Sequence, residues 1–300
     1  MLRQVSGARV KFHRVLAIPV LVATAALTIT ACGANDKASS DTVVRIGTTD
    51  NDPSWDVFEQ KAKEKGIAVK ITHYSDYKQP NVAVSQKQID LNLFQHLQFL
   101  GSYNVANNDD LTPIGSTYIV PLGLYSKKHK ALAEIPQGGE IAVPNDPTNQ
   151  ARALFVLQAA GLVKLSGTPR QPSPADIDKG ASKVKVTPVD AAQTALSLAS
   201  VDGSIINNTF LDRSGIDPNS ALYKDDPKDP NAEPYINVVV ARKADKDNPR
   251  YQQIVDLWHD PAVQKAHAEA TKGTALEVKR PAADLEQILQ RVQQQARSDK

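Results

Sequence analysis

The chain has little of what most functional classes need. A single cysteine, Cys32, stands among 300 residues, so no internal disulfide framework can form. The net charge is only +2, and no basic stripe is interleaved with aromatic residues, which removes the electrostatic signature of nucleic-acid binding. There is no Walker A loop, no GxGxxG, no GxSxG elbow and no HExxH, so the usual phosphate cradles, nucleophile turns and zinc helices are missing. His259 and His267 fall on different helical patterns, which argues against a shared metal. Ser75-Asp76-Tyr77-Lys78 matches SxxK, but the SDN and KTG partners of penicillin-recognising enzymes are absent. No long low-complexity tract or internal repeat is present. Neither a cofactor nor a catalytic set is expected.

What is present begins at the N-terminus. Lys11, His13 and Arg14 precede the apolar run 15–29, and small residues lead to Cys32. A basic start, an apolar stretch and small residues before a cut site describe a signal peptide over residues 1–31. The position of Cys32 resembles a bacterial lipobox, with Ile29 where Leu is usual, and implies a thiol that is acylated after cleavage. The alternatives are a plain signal peptide or one uncleaved membrane helix. Residues 32–42 are small and polar, as a flexible tether should be. One acylated end would hold the protein at the extracytoplasmic face of the cell membrane.

Beyond the tether, β-branched runs alternate with amphipathic segments. Strands are expected over 43–49, 67–73, 89–94, 184–188, 203–207 and 235–241, with two β-like runs inside 112–126. Helices are expected after Asp52-Pro53, over 81–88, 95–103 and 191–199, after Asn248-Pro249 and Asp260-Pro261, and from Pro281 to about Arg297. Residues 217–233 hold three prolines and many acids and read as an irregular excursion. The alternation predicts α/β layers with mostly parallel sheet. Trp55, Trp258 and Phe155 are assigned to the core.

The stretch 141–161, IAVPNDPTNQARALFVLQAAG, organises the rest. It reads as a buried strand, a polar turn and a helix capped by Asp146 or Thr148 and stopped at Gly161. Asn149 and Gln150 open the helix, and Arg152 is expected in its first turn. Free backbone N–H groups, the positive end of the helix dipole and a guanidinium suit a small anion, most simply a carboxylate. Ligand sites in such sheets lie beyond the carboxyl ends of strands. The polar residues at those points are Asn145–Arg152, Asn207-Asn208 and Gln95-His96. They include amides, an Arg and a His but no nucleophile, which favours binding over catalysis.

Five segments, SDYKQPN (75–81), IDLNLFQHLQFL (89–100), PLGLYSKK (121–128), 141–161 and PYINVV (234–239), resemble the NlpA family of methionine-binding lipoproteins. The resemblance implies a type II periplasmic-binding-protein fold, two α/β lobes around a central cleft, in a substrate-binding lipoprotein of an ABC importer. It implies that Arg152 grips the ligand carboxylate with Asn149 beside it. Asn207 and Asn237 would hold the charged groups from the cleft walls. Tyr77, Phe94 and His96 would enclose the side chain of L- or D-methionine or of a methionine-containing dipeptide. The chain departs from the family pattern at Phe99, often Tyr, and at Leu122, often Met. The implied partners are an ABC permease with its ATPase and the membrane through a lipid anchor at Cys32, with the binding protein a monomer. The expected division is 43–130 and 236–300 for the first lobe and 131–235 for the second. Two rivals are a tethered structural or adhesive lipoprotein with a vestigial cleft, and a secreted hydrolase, which needs a Ser, a His and a carboxylate brought together.

Overall fold

The computed structural model describes residues 43–298. The signal peptide, Cys32 and the tether lie outside those residues. Among the described residues no helix is long and apolar enough to cross a membrane.

In chain order the elements are β1 Val44–Thr48, α1 Ser54–Glu64, β2 Val69–His73, α2 Gln79–Ser85, β3 Leu91–His96, α3 Leu97–Asn107, β4 Thr112–Ser116, β5 Tyr118–Ile119 and β6 Gly123–Tyr125. Next come β7 Glu140–Pro144, α4 Pro147–Ala159, β8 Lys185–Val189, α5 Thr194–Ser197, β9 Gly203–Ile206, α6 Thr209–Asp212 and β10 Tyr223–Lys224. The chain ends with β11 Asn237–Ala241, α7 Pro249–Trp258, α8 Pro261–Ala270, β12 Leu276–Glu277 and α9 Ala282–Ser298.

Two five-stranded sheets result, ordered β2-β1-β3-β11-β4 and β10-β6-β9-β7-β8, with β5 and β12 forming a small ribbon. Each large sheet is half parallel. In the first, β1 runs parallel to β2 and β3, but β11 returns antiparallel between β3 and β4. In the second, β7 runs parallel to β8 and β9, while β6 and β10 run antiparallel. The mostly parallel expectation fails because β11 and β6 enter their sheets from the other sheet, without the crossover helix that a parallel neighbour requires.

Each sheet has its own core. Val44, Ile46, Trp55, Phe58, Leu91, Leu93 and Trp258 pack together on one side of the first sheet. Trp55, Phe58 and Ala62 share one face of α1, as helical spacing dictates. Leu97 and Leu100 of α3 meet Leu285, Ile288, Leu289 and Val292 of α9. Leu124, Ile141, Val143, Leu154 and Leu157 form the core of the second sheet. Phe155, assigned to the core from sequence, is 36% exposed because it lies on the outer face of α4.

The first passage between sheets also differs from expectation. Gly123–Tyr125 pairs with β9 and buries Leu124 in the second core. The chain therefore leaves the first sheet at Val120–Leu122, before the expected boundary near 130. It returns between Asp225 and Asn237. The carboxyl ends of β3, β7 and β9 all meet at the seam between the sheets, where His96, Asn149 and Asn207 touch.

Candidate functional site

Two strand-to-helix turns build the site. At the end of β7, Asp146 caps α4: its carboxylate accepts from Asn149 N–H at 2.9 Å and from the Thr148 hydroxyl at 3.0 Å. Pro147 occupies the first helical position, where its missing N–H costs nothing. The helix stops before Gly161, whose φ of +73° suits a residue without Cβ. Arg152 falls in the second turn of α4, not the first, because the helix begins at Pro147. At the end of β3, which runs two residues further than expected, His96 caps α3 by accepting from Phe99 N–H at 3.1 Å.

All seven residues named from sequence, Tyr77, Phe94, His96, Asn149, Arg152, Asn207 and Asn237, line one cavity. Gln95, Phe99, Tyr118, Val120, Asn208 and Thr209 complete its wall. The cavity is small, about 40 Å³, room for a few water molecules.

One end is polar. Arg152 is 4% exposed. Its Nε donates to Asp225 Oδ2 at 2.7 Å, and Nη2 donates to Asp225 Oδ1 at 3.1 Å and to the Val120 carbonyl at 2.9 Å. The Tyr235 ring covers one face at 4.2 Å. Nη1 makes no hydrogen bond among the described residues, so two N–H donors remain for a ligand. Asn149 Oδ1 accepts from Asn207 Nδ2 at 2.8 Å and lies 3.3 Å from His96 Nε2. Since Phe99 N–H occupies Nδ1 of His96, the proton sits on Nε2, which donates to Asn149. Asn207 Oδ1 is buried without a partner. The Asn237 side-chain amide has no hydrogen-bond partner among the described residues, and its residue is buried.

The other end is aromatic. Tyr77 lies 5.8 Å from Phe94, 6.0 Å from Phe99 and 5.1 Å from Phe210, ring centre to ring centre. Phe94 meets Phe99 edge-on at 5.8 Å. Behind these rings a buried amide cluster of Asn81, Asn92 and Gln95 bonds within itself.

Charge in the wall is sparse. Burial, reinforced by the Arg152 cation, lowers the His96 pKa to about 3, so the imidazole is neutral. Arg152 is then the charged side chain of the lining. Burial pushes the Tyr77 phenol up, and it stays protonated. Asp50 stands just outside, accepting from Tyr118 Oη at 2.9 Å and Thr209 Oγ1 at 2.8 Å. Burial, with Asp52 adding like charge, raises its pKa to about 6.

No catalytic constellation appears among the described residues, and no group of three or more His, Cys, Asp or Glu is placed there to hold a metal ion. Ser126, His129 and Asp202 do meet elsewhere, but the Ser126 hydroxyl donates to the Asp202 carbonyl, and His129 Nε2 bonds the Asp202 carboxylate. The hydroxyl does not touch the imidazole, so nothing activates it.

Several of these contacts leave no mark on the sequence. Asp225 lies in the acidic, proline-rich excursion, where it looks like any solvated acid. Phe210 and Tyr235 lack any local pattern. Thr209 sits just after β9, a position that draws attention to it, while Tyr118 lies within β5.

The sequence model of the NlpA lipoprotein family matches residues 44–279. The D-methionine-binding lipoprotein MetQ of Yersinia pestis is 33% identical over 271 residues, covering 89% of this chain and 98% of the relative. The substrate-binding protein of a methionine transporter from Streptococcus pneumoniae is 36% identical with a TM-score of 0.74, covering 79% of this chain and 96% of that one. A nutrient-binding protein from Burkholderia cenocepacia bound to methionine is 34% identical with a TM-score of 0.73, covering 78% of this chain and 99% of that one.

Proposed function

The chain belongs to the NlpA lipoprotein family, and from that premise we propose that it captures methionine in the cleft and hands it to an ABC importer. Its work is binding and not catalysis. The observation that carries this reading is Asn207 Oδ1, buried without a partner, in the same wall as Arg152 Nη1 and the Asn237 amide, which make no side-chain hydrogen bond among the described residues. Buried polar groups are normally paired. One left open beside two further unused donor and acceptor groups and an aromatic pocket suits a ligand with a carboxylate, an ammonium and an apolar tail. A vestigial cleft would have paired these atoms with one another.

In this reading Arg152 Nη1 donates to the carboxylate, and Asn207 Oδ1 accepts from the ammonium. Asn237 and Asn149 complete the polar end. Tyr77, Phe94 and His96 enclose the thioether, whose polarisable sulfur gains roughly 0.3–1.5 kcal/mol per aromatic contact. The two sheets act as lobes, and a ligand that touches both favours the closed form. Cys32, once acylated, anchors the protein at the membrane beside its permease and ATPase, and the binding protein acts as a monomer.

Calorimetry of the purified domain with L- and D-methionine tests the reading. Saturable heat with one-to-one stoichiometry is expected for at least one enantiomer. No heat and no thermal shift with any amino acid would overturn it.

A further inference from the structure

We propose that Asp225 is the built-in counter-ion that makes this cleft select a zwitterion over an anion, by neutralising Arg152 before any ligand arrives. The inference rests on the methionine-binding reading and asks what sets its charge preference.

Arg152 is held from three sides, all supplied by the two passages between the sheets. Asp225 takes Nε and Nη2 in a fork, the Val120 carbonyl takes the other Nη2 hydrogen, and Tyr235 covers one face of the guanidinium. Asp225 is itself fixed. Leu122 N–H donates to its Oδ1 at 2.7 Å, and its own N–H donates to the Leu122 carbonyl at 3.2 Å. One carboxylate therefore joins the outgoing passage, the returning passage and the cation of the cleft. The geometry leaves only Nη1 facing the ligand.

The charge count follows. An unpaired buried guanidinium would welcome any carboxylate, because the ligand would cancel its charge. A guanidinium already paired with a carboxylate carries no net charge to cancel. A ligand that brings a carboxylate alone then leaves an uncompensated negative charge in a buried site, which is costly. A ligand that brings its own ammonium adds no net charge. No carboxylate lines the cavity, but Asp146 bonds Asn149, and Asp50 bonds Thr209 and Tyr118. Both lie one hydrogen bond behind the wall and favour the ammonium.

The test compares L-methionine with its deaminated analogue, γ-methylthiobutyrate, on the native protein, D225N and D225E. The native protein should prefer methionine by roughly 100-fold or more, since a buried unpaired charge is being refused. In D225N that ratio should fall by about tenfold or more, because the cation is no longer cancelled. D225E keeps the charge and should keep the ratio, even if both affinities drop. Misplacement of Arg152 would weaken both carboxylates alike and leave the ratio unmoved, so the ratio isolates the charge effect. A native ratio near one overturns the proposal, whether or not the variants fold. So does a D225N ratio equal to the native one in a folded variant. If the native protein binds neither methionine nor any other amino acid, the failure belongs to the methionine-binding reading itself.

Discussion

At the end of β3 the helix α3 is capped by a neutral imidazole; at the end of β7 the helix α4 is capped by a carboxylate. Both caps satisfy the N–H three residues on, and the two turns meet where His96 touches Asn149. The backbone device is the same and the side chains differ. The first turn of α3 presents Phe99 to the cleft beside Phe94 and Tyr77, so that side is aromatic. The first turns of α4 carry Thr148, Asn149 and Arg152, so that side is polar and charged. A neutral cap suits the α3 turn, because a second cation beside Arg152 would repel it in a buried space. One strand-turn-helix unit, used twice, can thus hold opposite ends of one amphipathic ligand.

Damage to the two sides should be unequal. Arg152→Ala should abolish the methionine signal in calorimetry. It should also lower unfolding stability by about 3 kcal/mol, the low end for breaking a buried pair, because Asp225 keeps partial access to water. Retained affinity would remove the charged end from the account.

Acid should separate two buried groups of opposite sign. The His96 pKa in the fold is about 3, below its ordinary value, so a neutral histidine costs stability as pH falls through the ordinary histidine range toward 3. The Asp50 pKa in the fold is about 6, above its ordinary value, so its buried charge costs stability above pH 6, and that cost is relieved as pH falls toward the ordinary carboxylate value. Relative to the native protein, His96→Asn should therefore gain stability on acidification, and Asp50→Asn should lose its advantage. Denaturant melts from about pH 7 to about pH 4 would reveal the two opposite slopes; slopes of equal sign would contradict a neutral His96 and a reluctantly ionised Asp50.

Tyr77→Ala removes the ring that touches Phe94, Phe99 and Phe210. It should weaken methionine by about 1–2 kcal/mol, the scale of one or two sulfur–aromatic contacts. The loss for alanine, measured in competition, should be smaller. Equal losses for both would mean that the aromatic side does not read the side chain. Asp146→Ala should cost least, about 1 kcal/mol of unfolding free energy for a lost cap. Because Asp146 also holds the Asn149 amide, a small loss of affinity should accompany it; improved affinity would show that Asn149 does not need its present orientation.

Much of this molecule can be read from local pattern. The unit 141–161, with its Asp-Pro start and its Gly end, forms the strand and helix that its residues dictate. The caps at Asn248 and Asp260 open α7 and α8 as their Asx-Pro pairs require. The seven candidate residues can be named because strand ends and five ordered motifs point to them. Local pattern ends β3 two residues early, since propensity cannot tell where a strand yields to a helix capped by histidine. It also leaves β6 with the wrong sheet, since three residues carry no record of which core will bury Leu124.

Local periodicity, cap chemistry and turn residues act over a few neighbours, so strands, helices and the front of α4 are already written in the order of the amino acids. The pairing of Arg152 with Asp225 spans 73 positions, and the crossing of β11 into the first sheet joins segments as distant as Asn92 and Val240. Such contacts depend on which surfaces the packed cores leave facing each other. Folding alone selects, from many similar acids, the one that stands against the guanidinium, and in doing so sets the charge balance of the cleft.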